Sequence, residues 1–102
     1  MPPAAGAQTS GFQILFRTYT SRKLAPQYRV LLHDDPYNSM EYVVQILMQT
    51  LPSLSQSQAV NVMMEAHTNG MGTVTVCPME PAEHYSEVLK SNGLDSSIEA
   101  VD

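Results

Sequence analysis

Two adjacent carboxylates, Asp34 and Asp35, follow an apolar run over residues 28–32 and precede a helix-entry signal at residues 36–41. They therefore stand at the edge of a predicted hydrophobic core. A carboxylate beside apolar surface is poorly hydrated, so it favours a cation that donates hydrogen bonds and carries an apolar group. The amino end of a peptide is such a ligand. The alternative is that one aspartate forms the turn and the other is solvated, because loops between strands and helices are rich in Asp.

Two predicted helices supply side chains that could share a pocket with these aspartates. Asn38 followed by Glu41 predicts the start of the first helix, which Pro52 ends. Ser55 followed by Gln58 predicts the start of the second. Because a tight turn joins them, the helices should be antiparallel, and the end of the second should return to the start of the first.

The apolar positions of both helices follow a helical period. In the first helix they are Met40, Val43, Val44, Leu47, Met48 and Leu51, and in the second they are Ala59, Val60, Met63, Met64 and His67, before an Asn-Gly stop at residues 69–70. We expect Met40 and Val43 to converge with Met63, Ala66 and His67 beside the aspartates. Taken singly, a histidine or a methionine row on a helical face is more often simple core packing.

The remaining pattern completes an α+β order of β-α-α-β-α-β. The apolar run predicts a central first strand over residues 28–33, and alternation predicts a second over residues 72–77. A third helix should open at Glu80 or Pro81 and end at an Asn-Gly pair, before a last strand over about residues 94–100. The third helix should turn Ala82, Tyr85, Val88 and Leu89 inward, and the last strand Leu94, Ile98 and Ala100.

Composition predicts one soluble domain behind an arm. The chain has 102 residues, of which 43% are hydrophobic, without the run of about 18 apolar residues that a membrane span needs. No secretory signal peptide is expected. Residues 1–26 are predicted to be a mobile arm, interrupted by an apolar patch over residues 12–16, and residues 27–102 to be the core domain.

Charge argues against nucleic acid as the main ligand. Residues 1–29 carry four basic and no acidic side chains, whereas residues 30–102 carry one lysine and all 10 acidic side chains. Phosphate binding needs clustered Lys and Arg, which the acidic core domain lacks. A basic or amino-terminal ligand fits better.

Two further chemistries are possible from residue types. Cys77 cannot form an internal disulfide and could pair with His84 or His67 as a nucleophile, but a buried strand position disfavours that. A metal site from His33, Asp34, Asp35 and His67 is conceivable, although the glycine and twelfth-position glutamate of a calcium loop are missing. No metal and no cofactor are expected.

The chain resembles the ClpS adaptor family. The likeness is carried by residues 31–44 (LLHDDPYNSMEYVV), by Ala59 and Met63 to His67, and by Gly70, and it covers about residues 27–101. His33 and residues 42–47 resemble the cyanobacterial and plastid branch. The resemblance implies a three-stranded antiparallel sheet packed against three helices. It also implies a non-enzymatic, monomeric adaptor in the cytoplasm, or in the plastid stroma of a photosynthetic eukaryote. Such adaptors deliver substrates with destabilising amino-terminal residues to a Clp AAA+ unfoldase and its protease.

The resemblance also implies residue roles. The α-amino group of an N-degron would be held by Asp34, Asp35 and His67, where Asp34 departs from the Asn usual in the family. The first side chain, expected to be Phe, Tyr, Trp or Leu, would enter a pocket formed by Leu32, His33, Asn38, Met40, Val43, Met63 and Ala66. Met40 matches the residue that screens out β-branched side chains.

A second surface is implied for the partner. Glu80 matches an acid that contacts the amino-terminal domain of a ClpC- or ClpA-type unfoldase, and Tyr85 replaces a basic residue that the family often uses there. The main rival is an interaction domain that docks on a Clp unfoldase without recognising amino termini.

Overall fold

The computed structural model describes residues 25–101, so the predicted arm and its apolar patch at residues 12–16 lie outside the described residues, apart from residues 25 and 26. The elements are β1 (Gln27–His33), α1 (Met40–Thr50), α2 (Gln56–Asn69), β2 (Met71–Pro78), α3 (Met79–Ser91) and β3 (Ser96–Val101). This order confirms the predicted β-α-α-β-α-β fold. Across residues 25–101 no helix combines the length and apolarity needed to cross a bilayer.

The sheet has the strand order β2-β1-β3, with β1 antiparallel to both neighbours. The central position predicted from the apolar run of β1 is therefore confirmed. The alternation predicted for β2 is interrupted, because Val30 pairs with Thr75 and Leu31 with Thr73, which leaves one extra residue between them as a bulge. Beyond the bulge the side chains change face, so Val76 is 47% exposed and Cys77 packs only partly against the core.

The three helices share one core with the sheet: α2 and α3 contact the strands directly, and α1 contacts mainly these two helices. Their buried side chains are Val43, Ile46 and Leu47 of α1, Ala59, Val62, Met63 and Ala66 of α2, and Ala82, Ser86 and Leu89 of α3. The predicted apolar face of α2 was partly wrong, because Met64 and His67 are exposed while Val62 and Ala66 point inward. The true stripe follows the positions i, i+3, i+4 and i+7 from Ala59.

The N-termini of α1 and α2 can be compared with the predicted helix starts. Asn38 is not the N-cap of α1, because Ser39 holds that position and its hydroxyl accepts the Tyr42 N–H at 3.1 Å. The predicted capping box of Ser55 and Gln58 on α2 is confirmed.

The later boundaries moved by one or two residues. The α2 stop is confirmed at Gly70, which takes a left-handed conformation with φ of 91°. Helix α3 begins at Met79, one residue earlier than predicted, and β3 begins at Ser96. Ala100 is exposed rather than inward-facing.

Gly72 lets α2 lie unusually close to β2. A Cβ atom at Gly72 would come within 2.5 Å of the Val62 carbonyl oxygen and 3.1 Å of the Ala66 amide nitrogen. Only a residue without a side chain fits this approach, which holds the last turns of α2 against the sheet. The approach therefore helps to place His67 near the end of β1.

Candidate functional site

The ten side chains predicted to form the binding site line one cavity of about 220 Å³. These residues are Leu32, His33, Asp34, Asp35, Asn38, Met40, Val43, Met63, Ala66 and His67. Pro36 also lines the cavity and was not predicted. The structure thus brings together the end of β1, the following loop, the start of α1 and the last turns of α2.

Backbone hydrogen bonds position the carboxylates. The Asp34 N–H donates to the Gly70 carbonyl at 3.0 Å, which ties the residue after β1 to the end of α2. The His33 N–H donates to the Asp95 carbonyl at 2.9 Å, on the other side of the same loop. Because these two bonds fix the backbone of His33 and Asp34, the Asp34 side chain lies beside a side chain from the last turn of α2.

That side chain is His67. Its Nδ1 lies 3.5 Å from Asp34 Oδ1, and the two side chains are 58% and 48% exposed. An exposed pair of this kind contributes little to folding, since water screens it and two side chains must be ordered. Both groups therefore remain accessible to a ligand at the rim of the cavity.

Asp35 has a different environment. Its Oδ1 accepts the N–H groups of Tyr37 at 2.8 Å and Asn38 at 2.9 Å, and its Oδ2 accepts the Asn38 side-chain amide at 2.6 Å. Burial alone would raise the pKa of Asp35, but the hydrogen bonds from Asn38 and Tyr37 outweigh it and lower the pKa below the ordinary value. Asp35 is therefore an ionised carboxylate held rigidly in the loop.

Asn38 links this loop to α3. Besides Asp35, its side-chain amide donates to the Gly93 carbonyl at 3.0 Å, immediately beyond the end of α3. The Asn38 side chain therefore joins the loop to α3, while the Ser39 hydroxyl caps α1. The tyrosine at position 42 makes a parallel link, since its hydroxyl donates to the Asn92 carbonyl at 2.7 Å.

The floor of the cavity is apolar. Leu32, Val43 and Ala66 are at most 3% exposed, and Met63 is 9% exposed, whereas Met40 is 47% exposed and lies at the rim. The cavity measures about 220 Å³. It can accept an apolar side chain while a charged group attached to that chain meets Asp34 and His67 at the rim.

The His33 side chain, which also lines the cavity, is held by β3, the strand that pairs with β1 on the side opposite β2. Its Nε2 lies 2.7 Å from the Ser97 hydroxyl oxygen of β3. The contact fixes the ring orientation at the edge of the cavity.

The residues implied for partner docking lie elsewhere. Glu80 is exposed in the first turn of α3, and Tyr85 packs partly against the core with its ring centroid 5.9 Å from that of His84. Neither residue lines the cavity. The two implied surfaces are therefore separate.

The alternative chemistries gain no support. Burial raises the pKa of the Cys77 thiol, which disfavours the thiolate that a nucleophile needs. Among residues 25–101, no three His, Cys, Asp or Glu side chains converge in a way that could hold a metal ion.

A groove between α1 and α2 was missed in the sequence. It measures about 630 Å³ and is lined by Met40, Glu41, Val44, Gln45, Met48, Gln49, Gln56, Val60 and Met63. The sequence pattern assigned Val44, Met48 and Val60 to the apolar positions of the two helices and did not distinguish a groove from the core. The sequence did contain one signal for the groove. Glutamines alternate with the apolar positions here, which indicates that these apolar side chains are only partly buried.

Known proteins that are similar to this chain are Clp protease adaptors. The family model described as ATP-dependent Clp protease adaptor protein ClpS matches residues 23–97. An adapter protein ClpS of Synechococcus elongatus is 67% identical over 85 residues, which cover 83% of this chain and 90% of that protein. The chloroplastic adapter CLPS1 of Arabidopsis thaliana is 45% identical over 97 residues, which cover 95% of this chain and 61% of that protein.

A solved structure also matches. It is Agrobacterium tumefaciens ClpS2 bound to L-phenylalaninamide, with a TM-score of 0.68 and 30% identity. The match covers 74% of this chain and 98% of that chain.

Proposed function

The chain belongs to the ClpS family of Clp protease adaptors, in its cyanobacterial and plastid branch, and we propose that it binds substrate proteins by their free amino end. It is an adaptor and not an enzyme, as its relatives are named. In the proposal, the first side chain of the substrate enters the 220 Å³ cavity, and the adaptor delivers the substrate to a Clp AAA+ unfoldase.

One observation carries the proposal. The Asp34 carboxylate and the His67 imidazole meet at 3.5 Å on the rim of a cavity whose floor is buried and apolar. An ammonium group donates three hydrogen bonds, and a carboxylate and a neutral imidazole nitrogen accept them. The ionised Asp35 adds negative charge beside this point.

Side-chain burial and hydrogen bonds to the ammonium are the two favourable contributions to the proposed binding free energy. Burying a Leu or Phe side chain yields about 1.5–3 kcal/mol, and a hydrogen bond to a charged group about 1.5–3 kcal/mol. An ammonium can donate up to three such hydrogen bonds, and after the costs of ordering the ligand we expect micromolar binding. A peptide with an acetylated end lacks the charge, so the rim carboxylates would lose water without gaining a cation.

The cavity favours bulky first residues. Ala66 in its wall is small. The ClpS resemblance implies a Val at this position, so we expect the pocket to be deeper by about two methyl groups. We expect Phe, Tyr, Trp and Leu to bind, and Met40 at the rim to exclude β-branched side chains. The related Agrobacterium protein, which was solved with L-phenylalaninamide, supports this class of ligand.

Delivery needs a second surface. We propose that Glu80 and Tyr85 on α3 contact the amino-terminal domain of a ClpC- or ClpA-type unfoldase, and that residues 1–26 form an arm used in delivery by the core domain of residues 27–102. Glu80 is exposed and separate from the cavity, so one monomer could hold substrate and unfoldase together. We place the protein in the cytoplasm, or in the plastid stroma if its source is a photosynthetic eukaryote.

The test separates this function from docking on an unfoldase without recognition of amino termini. Fluorescence anisotropy should be measured for peptides that begin with Phe, Tyr, Trp, Leu, Ile or Ala, each with a free and with an acetylated end. We expect micromolar binding of the free Phe, Tyr, Trp and Leu peptides, and at least tenfold weaker binding of the Ile, Ala and acetylated peptides.

Two variants control the experiment. His67→Ala should weaken binding of the free Phe peptide, whereas Glu83→Gln, on an exposed position of α3 outside the cavity, should not. Equal binding of free and acetylated peptides would support the rival function.

A further inference from the structure

The groove between α1 and α2 is a depression among the described residues that the proposed amino-end site leaves unused. Its apolar floor includes Val44, Met48 and Val60, each only partly buried. A connected apolar surface that stays open to water commonly marks a binding surface. The groove encloses about 630 Å³, nearly three times the 220 Å³ of the cavity.

The groove is continuous with the cavity. Met40 and Met63 line both depressions, so one pair of side chains forms the boundary between them. Methionine is unbranched and adapts its shape readily, so this boundary can yield to a ligand that passes over it. A chain that leaves the cavity across this pair of side chains would enter the groove.

The length of the groove sets how many residues it could hold. It follows α1 from Met40 to Gln49, a rise of about 14 Å at 1.5 Å per residue. An extended chain advances about 3.3 Å per residue, so about four residues fit.

The edges of the groove suit an extended backbone. Gln45, Gln49 and Gln56 line it and are exposed. Each side-chain amide can both donate and accept a hydrogen bond, as the unpaired N–H and C=O groups of an extended peptide require. The only charged side chain in the lining is Glu41, next to the cavity end.

We propose that this groove binds the residues that follow the first residue of the substrate, in an extended conformation, and that it selects an apolar side chain within the next four positions. The proposal rests on the proposed binding of the amino end. The substrate class is therefore narrower than a bulky first residue alone. It consists of amino-terminal segments that carry a second apolar side chain a few residues downstream.

The experiment uses the full chain and a series of labelled peptides. The parent peptide begins with Phe and continues with only Gly and Ser, and each other member carries a single Leu at one of positions two to eight. We expect Leu at one or two of positions two to five to tighten binding about five- to tenfold, because part of its side chain leaves water. Leu at position eight, beyond the end of the groove, should change nothing.

Variants test the location. Met48→Gln should abolish the gain from Leu while leaving affinity for the parent peptide unchanged, since Met48 lines the groove but not the cavity. The nearly isosteric Val44→Thr should reduce the gain. Met64→Gln, at a 43% exposed methionine outside the groove, should preserve it. Binding of the parent peptide also shows that each variant is folded.

The outcomes separate the two claims. If the parent peptide does not bind, the proposed function fails. If it binds but no Leu position tightens binding, or position eight does so equally, or the gain survives Met48→Gln, the groove proposal is overturned while binding of the amino end stands.

Discussion

Asp34 stands where the ClpS resemblance implies an Asn, so the proposed pocket carries an additional negative charge at this position. An ionised carboxylate accepts hydrogen bonds from an ammonium but cannot donate to the first carbonyl of a ligand, as the usual Asn could. It also lies on the rim, where its side chain is 48% exposed and salt can screen its attraction for a cation.

We therefore predict that Asp34→Asn makes binding less sensitive to salt. Anisotropy titrations of a free Phe peptide across a range of salt concentrations would give the slopes. The wild-type slope should be the steeper, and Glu83→Gln, which removes one charge from an exposed position on α3, should keep it. Identical slopes for Asp34→Asn and wild type would contradict this role of the carboxylate.

Ala66 is a small residue in the wall of the cavity. Its side chain is 2% exposed and lies in the lining, so Ala66→Val would add two methyl groups to the wall. We predict that this change weakens the Phe peptide several-fold more than the Leu peptide, because only the larger ring needs the lost space. The ratio of the two dissociation constants is the measurement, and an unaltered ratio would show that the extra depth is not used.

Asp35 couples the binding loop to acid stability. Its pKa is lowered in the folded state, so the protein favours the ionised form more than the unfolded chain does. This contribution to the free energy of unfolding is fully present above the unfolded pKa, about 4, and is lost as pH falls through the folded pKa. Stability should therefore decline on acidification below about pH 4.

Denaturant unfolding at several pH values would measure this effect. Asp35→Asn should lower stability at neutral pH and flatten the decline below about pH 4. Glu83→Gln, whose carboxylate makes no hydrogen bond to a described residue, should leave both unchanged. An Asp35→Asn profile parallel to that of the wild type would remove Asp35 as the cause.

At the scale of elements, the close approach of α2 to β2 is the contact on which the site depends. Gly72→Ala places a Cβ atom 2.5 Å from the Val62 carbonyl oxygen, so helix and strand must separate. We predict a loss of about 1–3 kcal/mol in the free energy of unfolding and weaker peptide binding, because His67 moves with α2. Thermal unfolding and the Phe titration would test both effects. Thr73→Ala, at the next position, should cost less than half as much, and equal losses would contradict the account.

The elements also show what sequence could predict. Periodicity and capping signals suffice for the element order, for the capping box of Ser55 and Gln58, and for the convergence of His67 with the aspartates, because these depend on local patterns. The bulge in β2 was not predictable, since it arises from pairing with β1. Asn38 was wrongly predicted to be the N-cap of α1. Its side chain instead bonds to Gly93, 55 residues away in sequence, and local sequence patterns do not reveal such a contact.

The same distinction applies to the candidate site. The cavity residues were found because a family resemblance supplied them, whereas spacing alone indicated only the aspartates, the methionines, Val43, Ala66 and His67. The groove escaped notice because half-buried and buried apolar residues have the same helical period.

In the whole molecule, the acidic charge and the two candidate surfaces are arranged in a way that bears on ligand binding. All 10 acidic side chains lie in residues 30–102, and the cavity and the exposed end of α3 occupy different parts of the fold. An acidic domain attracts basic and amino-terminal ligands over distances of about a Debye length, 8–10 Å at moderate salt. If α3 is the docking surface as proposed, substrate and unfoldase would bind to different parts of the fold.

The most direct measurement is an amide NMR titration of the isotope-labelled full chain with L-phenylalaninamide, and with its N-acetyl derivative as the control. We predict saturable shifts at residues 32–43 and 63–70, around the cavity, for the free amine and none for the acetylated compound. Shifts that are the same for both compounds, or that cluster on α3 instead of around the cavity, would contradict this prediction.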